Sequence, residues 1–389
     1  MLSFENTKIA FKRKNNTELL KSYWLFKLLG NNFLVKIGPH LLQLALTIKL
    51  PIIPIIKKTI YSQFCGGESI NNCQKVIDSL ANYNIGTILD YSVEGKNSEE
   101  DYERVFQETI KSIETAKGNS KIPFTVFKIS GLASIQLLEK LSSKTDLSYK
   151  EQKLEETLRE RLHSICRLAK KMDVNVFIDA EESWIQNIID DLVNELMSIY
   201  NIEKPLIYNT LQMYRWDRLD YLYKCHERAK TKGYFLGFKL VRGAYMEKER
   251  ERAIKLNYKS PIQKDKQSTD NDYDLSLEYC IKNIDTIAIC AGTHNEKSSK
   301  YLAQLMKKYK IENNHPNIYF SQLLGMSDHI SFNLSSQKYN VAKYVPYGPV
   351  KDVIPYLIRR AQENTSISGQ TSRELNLITK EKRRRKKLS

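Results

Sequence analysis

The sequence predicts a closed α/β barrel of the (β/α)8, TIM type, with an N-terminal helical extension and a last helix over the barrel mouth. Three observations predict it. Short apolar runs recur eight times after Gly66-Gly67, charged segments at helical spacing lie between them, and the eight units from residue 87 to 345 span 259 residues, close to the ~250 typical of such a barrel. Strand and helix in alternation imply parallel pairing with the helices outside. An open doubly wound sheet would show the same alternation, but no Gly-x-Gly-x-x-Gly follows the first strand, so no dinucleotide site of that kind is indicated.

Residues 1–60 precede this pattern. Tyr23-Trp-Leu-Phe26, Leu28-Leu29, Phe33-Leu-Val35 and Leu41-Leu-Gln-Leu-Ala-Leu46 lie among lysines. Two readings stand for these helices: packing on the main domain, or lying flat on an anionic membrane surface with a lysine rim. The longest uncharged run here, Ile37–Ile48, has twelve residues, well short of the roughly 20 that cross a bilayer. Charges recur through the first 27 positions without a cleavable apolar core, so no signal peptide is indicated.

The strands follow in order as Gly86–Tyr91, Pro123–Ile129, Val174–Asp179, Pro205–Asn209, Phe235–Val241, Thr286–Cys290, Asn317–Ser321 and Val341–Val345. Each is a run of branched and aromatic residues of strand length. Helical spacing marks Asp101–Ala116, Tyr149–Met172, Ser183–Tyr200, Trp216–Lys232, Ser276–Lys282 and Asn295–Tyr309. The domains expected are an extension over 1–60, a catalytic barrel over 61–375 and a basic tail over 376–389.

Charge is segregated. The formal net charge is +16, of which residues 1–60 carry +8 and residues 380–389 carry +6. The body is thus close to neutral at +2, which argues against a nucleic-acid partner. The run Lys380–Lys387 reads as a solvated tail. Six cysteines without paired spacing, and six histidines that form no ligand motif with them, indicate reduced thiols and no metal site.

In a barrel the C-terminal strand ends converge on one mouth. Here they supply Asp90, Lys128, Asp179, Asn209 to Gln212, Lys239 to Tyr245, Thr293-His-Asn295, Ser321-Gln-Leu323 and Tyr344, a polar set that a purely structural barrel does not require. Lys128 reads either as a lysine snorkelling at the rim or as a cation paired with Asp179 from the neighbouring strand. Glu181 and Glu182 read as caps of the next helix. Within Phe235–Arg250 the pattern changes from strand to turn to helix. Gly243 permits a backbone conformation closed to other residues and a close ligand approach, with a basic residue on each side of the strand end. His294 suits a hydrogen-bonding role. After the last strand, Pro349 starts a helix on which Tyr356 and Arg360 lie four apart beside Arg359; paired guanidinium groups match a carboxylate or phosphate.

Taken together, Lys239-Leu-Val-Arg-Gly-Ala-Tyr245, Ile178-Asp-Ala-Glu181, Thr293-His-Asn295, Gln322-Leu-Leu-Gly-Met326, Tyr344-Val-Pro-Tyr-Gly348 and Tyr356-Leu-Ile-Arg-Arg360 with Glu363-Asn364 resemble the proline dehydrogenase family, in that family's order. The resemblance covers roughly residues 60–375. It implies an FAD enzyme that oxidises L-proline to Δ1-pyrroline-5-carboxylate and passes electrons to a quinone, peripheral to the cytoplasmic side of the inner membrane. By resemblance, Lys128, Arg359 and Arg360 hold the proline carboxylate, Asp179 orders Lys128, and Tyr245, Leu323, Tyr344 and Tyr356 shape the pocket. Gln212, Lys239, Val241, Gly243, Ala244, Thr293, His294, Asn295 and Glu363 contact the flavin or its tail. Met246 stands where some relatives carry tryptophan. No aldehyde-dehydrogenase module follows residue 389, which implies reliance on a separate pyrroline-5-carboxylate dehydrogenase. The competing expectations are a hydroxyproline dehydrogenase of the same fold, disfavoured by the bulk of Tyr356, and a non-catalytic membrane-surface protein on the same barrel.

Overall fold

The eight parallel strands are β1 (Ile85–Tyr91), β2 (Phe124–Lys128), β3 (Asn175–Asp179), β4 (Ile207–Gln212), β5 (Leu236–Val241), β6 (Ile287–Gly292), β7 (Ile318–Leu323) and β8 (Val341–Tyr347). They close in sequence order into a barrel, as the alternation predicts. The coordinates are a computed structural model describing residues 2–31, 37, 38, 42, 48, 50–93, 98–366 and 370–387, with backbone alone over 361–366 and at 370. The run Phe33–Val35 and most of the runs Leu41–Leu46 and Ile37–Ile48 lie outside the described residues, as does the side chain of Glu363.

The chain divides into two compact units, Met1–Glu94 with Gln322–Ser389, and Gly95–Ser321. In the unit Gly95–Ser321, the interior begins on an aromatic floor. Phe124 stacks on Phe177 with centroids 4.3 Å apart, and Tyr208 and Tyr319 meet its ring edge-on at 5.4 and 4.8 Å. Edge-to-face and offset contacts of this kind fit the ring quadrupoles. β4 starts two residues later than its sequence suggests and runs on to Gln212. The Asn201 side chain occupies the edge before it, accepting from the backbone N–H groups of Leu206 and Ile207. At the far end the ladder continues, with Met213 N–H bonded to the Val241 carbonyl. β6 likewise extends to Gly292, because pairing with β5 and β7 overrides the weak strand preference of Ala291 and Gly292. The helix expected at Ser276–Lys282 begins earlier, at Lys266, capped by the Asp265 carboxylate on Ser268 N–H. Its polar first half hides the helical period in the sequence.

In the unit Met1–Glu94 with Gln322–Ser389, β1 and β8 pair over seven residues, from Ile85 with Val341 to Tyr91 with Tyr347. Lys343, mid-strand in β8, is fully buried. A buried ammonium is costly without a partner. Its Nζ meets Asp328 Oδ1 at 3.0 Å and donates to the carbonyl of Met326 at 2.5 Å. Lys14, from the N-terminal extension, meets the other oxygen of Asp328 at 3.4 Å. Against the opposing effect of burial, Lys343 and Lys14 hold the Asp328 carboxyl below its usual range.

The extension packs on this unit. Asn16–Leu29 is a helix started by a capping box between Asn15 and Glu18. Its buried row Leu19, Phe26 and Leu29 joins two cores. One contains Ala10, Phe11, Leu377 and Ile378; the other contains Tyr61, Phe64, Met326, Val353, Tyr356 and Leu357, with Leu323 packed against it. The basic run 380–387, expected as a solvated tail, is helical as far as Lys386, with Lys380, Arg383, Lys386 and Lys387 exposed and other members anchored. In the helix Gln370–Lys386 fully buried Glu381 bonds Arg384 and Arg385, and Arg385 donates to the carbonyls of Phe11 and Lys14. Among the described residues no helix is long and apolar enough to cross a membrane.

Candidate active site

Lys128 and Asp179 end β2 and β3 as registered neighbours. The Asp179 carboxylate closes on the ammonium of Lys239, two strands further on in β5, a pairing that the sequence did not indicate. Beneath them the Lys239 ammonium lies 5.7 Å from the Phe177 ring centroid, an attractive cation–π placement. The pair is nearly enclosed, with side chains 6% and 15% exposed.

Of the two acids after Asp179, Glu182 occupies the N-cap position of the next helix without a side-chain capping bond, and Glu181 lies outside it. Glu181 is 3% exposed and turns back: its carboxylate accepts from the backbone N–H of Ser130 at 2.9 Å and from the Ser130 hydroxyl. Burial pushes its pKa up to about 7, with the Ser130 bonds and Lys128 acting the other way. Glu182 pairs with Lys248. The helix Ser183–Tyr200 is instead capped from another helix, Met246–Lys255, whose Glu249 accepts from Ser183 N–H and hydroxyl, both at 2.6 Å. An acid at a helix start is favoured by the exposed N–H groups whichever segment supplies it, and local sequence cannot tell which one does.

Gln212 ends β4 and donates to the Glu181 carbonyl at 2.6 Å. Asn209 does not face the mouth. Its amide donates outward to Asp190 at 3.0 Å, a carboxylate also bound by Arg218. At the end of β5, Val241 leads into Arg242-Gly243-Ala244. Gly243 has φ +129°, and a Cβ there would come within 2.6 Å of the Tyr214 ring. That face, expected to admit a ligand, is filled by tyrosine, while Gly243 and Ala244 remain exposed. Tyr245 precedes the helix Met246–Lys255 and is half-buried.

Arg242, which the sequence offered with Lys239 as a holder of a flat anionic ligand, is engaged by the protein itself. Its guanidinium donates to Asp270 at 2.7 Å, to the Thr293 hydroxyl at 2.8 Å and to Ser298 at 2.9 Å, and lies 4.3 Å from the Tyr273 ring centroid. It thereby ties the end of β5 to the Thr293-His294-Asn295 turn. The Thr293 hydroxyl also accepts from Asn295 N–H, and Asn295 Oδ1 caps the helix Glu296–Lys308. His294 between them is half-buried.

In the other unit, Tyr344 and Tyr356 are buried, Leu323 is partly so, and the Arg360 guanidinium lies 5.1 Å from the Tyr356 ring centroid. The four-residue spacing predicts this contact. Arg359 and Arg360 are half-buried on the helix Val350–Ser366. The Lys343 ammonium lies 3.3 Å from the Leu323 carbonyl, so a strand-interior lysine holds the end of β7.

Residues 73–373 match the family model described as proline dehydrogenase. The chain belongs to the proline dehydrogenase family. It is an oxidoreductase, and proline oxidation is its activity. Proline dehydrogenase 1, mitochondrial, of Dictyostelium discoideum is 32% identical over 98% of this chain and 74% of that relative. Hydroxyproline dehydrogenase of Xenopus laevis is 29% identical over 99% of this chain and 90% of that relative. Among solved structures, proline utilization A from Bdellovibrio bacteriovorus superposes with a TM-score of 0.73 at 20% identity, over 92% of this chain and 38% of that one; this likeness bears on the fold. The chain spans just over a third of that solved protein's length.

Proposed function

We propose that this chain oxidises L-proline to Δ1-pyrroline-5-carboxylate on a bound FAD and delivers the electrons to a quinone, the product passing to a separate pyrroline-5-carboxylate dehydrogenase. The observation that carries the reading is the enclosed Lys239–Asp179 pair at strand ends next to Lys128. Such a fixed polar floor suits a redox ring. A bound flavin would supply the two-electron acceptor for the hydride that leaves C5, as the amine loses its proton and the C5–N bond becomes double. Gln212, Lys239, Val241, Gly243, Ala244, Thr293, His294, Asn295 and Glu363 would hold it. The donor set fits: an ammonium held by a carboxylate, a main-chain turn exposed at Gly243 and Ala244, and a turn at Thr293 tied down by Arg242.

Lys128, Arg359 and Arg360 take the substrate carboxylate. Three cations on one anion fix the ring, and positioning supplies much of the barrier reduction in a transfer between two bound partners. Tyr245, Leu323, Tyr344 and Tyr356 wall the ring and exclude water. Buried Tyr356, with Arg360 over its ring, crowds the place of an added hydroxyl, so proline is preferred over 4-hydroxyproline.

The helix Asn16–Leu29 keeps a second apolar row on its outer side. Leu20, Trp24 and Leu28 are each about half exposed, and Lys27 lies over the Trp24 ring. With the basic surplus of both chain ends, this row suits the anionic cytoplasmic face of the inner membrane, where a quinone is reached.

The visible spectrum of the purified protein, with and without proline added anaerobically, tests the proposal. A yellow protein that bleaches on proline supports it; a colourless preparation that FAD does not reconstitute ends it.

A further inference from the structure

The carboxylate of Glu181 has no part in the chemistry above, yet it is almost fully buried and binds the turn that follows Lys128. Both Ser130 donors end on it, the N–H at 2.9 Å and the hydroxyl. Ser130 lies in the 3-10 turn Ile129–Gly131, which starts one residue after Lys128. Glu181 is itself held on three sides. Its N–H donates to Gln186 at 2.9 Å, its carbonyl accepts from Gln212 at 2.6 Å, and Asp179, two residues earlier, is closed on Lys239. The turn presenting Lys128 is thus anchored to the ends of β3 and β4 through a single side chain.

We propose that Glu181 is a positioning residue for Lys128: its carboxyl locks the turn after β2, and its proton sets how strongly Lys128 attracts the substrate carboxylate. This rests on Lys128 binding that carboxylate. Among the charged groups acting on Glu181 are Lys128 from β2 and Glu182 from its own segment, the latter paired with Lys248. Ionised Glu181 places a negative charge beside the Lys128 ammonium and opposes a second anion there. Protonated Glu181 keeps a carbonyl oxygen for the turn and removes that charge. Burial brings its titration to about pH 7, where the proton is exchanged under ordinary conditions.

The test uses the flavin-loaded full chain and tetrahydrofuran-2-carboxylate as competitor of proline, because its ring oxygen does not titrate as an amine does. In the wild type the inhibition constant falls as pH drops through a step near neutrality. Glu181→Gln, neutral but still able to accept from Ser130, gives a flat profile at the wild-type low-pH value. Glu181→Ala frees the turn and raises the constant by about tenfold or more at every pH, since displacement on the order of 1 Å is costly in an oriented site. Ser130→Ala removes a bond that lowers the Glu181 pKa and moves the step to higher pH. A step that persists in Glu181→Gln, or one that stays in place in Ser130→Ala, overturns the proposal. Wild-type turnover of proline, measured alongside, judges the proposed function separately.

Discussion

The ammonium of Lys239 on β5 is closed onto the carboxylate of Asp179 at the end of β3, although 60 residues separate them in the chain. Removing one member of a buried pair leaves the other as an uncompensated charge, whereas replacing both with apolar residues is often close to neutral. Function and stability at this pair are therefore separable.

Asp179→Asn destabilises the protein by about 3–5 kcal/mol in urea denaturation and lowers kcat/KM for proline. The double variant Asp179→Leu with Lys239→Met recovers most of the stability and none of the activity. Recovery of both would mean that the pair is structural alone.

Arg360→Ala costs about 2–5 kcal/mol in kcat/KM, the range for truncating one side of a desolvated charge contact. Arg360→Lys keeps the charge but loses the planar fork and the stacking on Tyr356, so steady-state kinetics place it between wild type and alanine. Equal kinetics for lysine and arginine would argue against a bidentate carboxylate contact.

Gly243→Ala combines a backbone at φ +129° with a Cβ 2.6 Å from the Tyr214 ring. Strain of this kind costs on the order of 1–3 kcal/mol, and the ring contact adds to it. The expected result is a lower melting temperature and less bound flavin per protein, read from visible absorbance.

Glu381 ties the C-terminal helix to residues 11–16 through Arg385. Burial works against its charged form, but Arg384 and Arg385 hold its pKa at about 2, from an ordinary value of 4.5. A depressed acid contributes stability that is complete above the ordinary value and is lost as pH falls towards 2. Glu381→Gln should expose the arginine-rich helix to trypsin at neutral pH. In the wild type the same sensitivity should appear only below about pH 4.5, probed with an acid-active protease.

Leu20→Glu with Trp24→Glu changes only outward residues. It leaves thermal stability within about 0.5 kcal/mol and reduces sedimentation with phosphatidylserine vesicles. Undiminished binding would move the membrane contact elsewhere.

The barrel was legible because its signal is periodic: eight apolar runs between charged segments survive errors of two or three residues at each end. Tyr356 and Arg360 were legible for the same reason, since a spacing of four puts two side chains on one helical face. Gly243 was legible as a turn glycine, but the sequence does not reveal that Tyr214, 29 positions away, fills the space its missing side chain leaves.

By itself, the sequence determined the number and order of the strands and that two basic segments flank a near-neutral body. Only the tertiary structure decided the pairings: Asp179 with Lys239, Glu181 with Ser130, Glu249 at the start of the helix Ser183–Tyr200, Arg242 with Thr293, and the basic C-terminal run folded onto the N-terminal helices. The reason is physical. Periodicity tells which face of an element is apolar, but a buried charge takes whichever opposite charge or donor the closed barrel brings within reach, and that distance is fixed by strands and helices far apart in the chain.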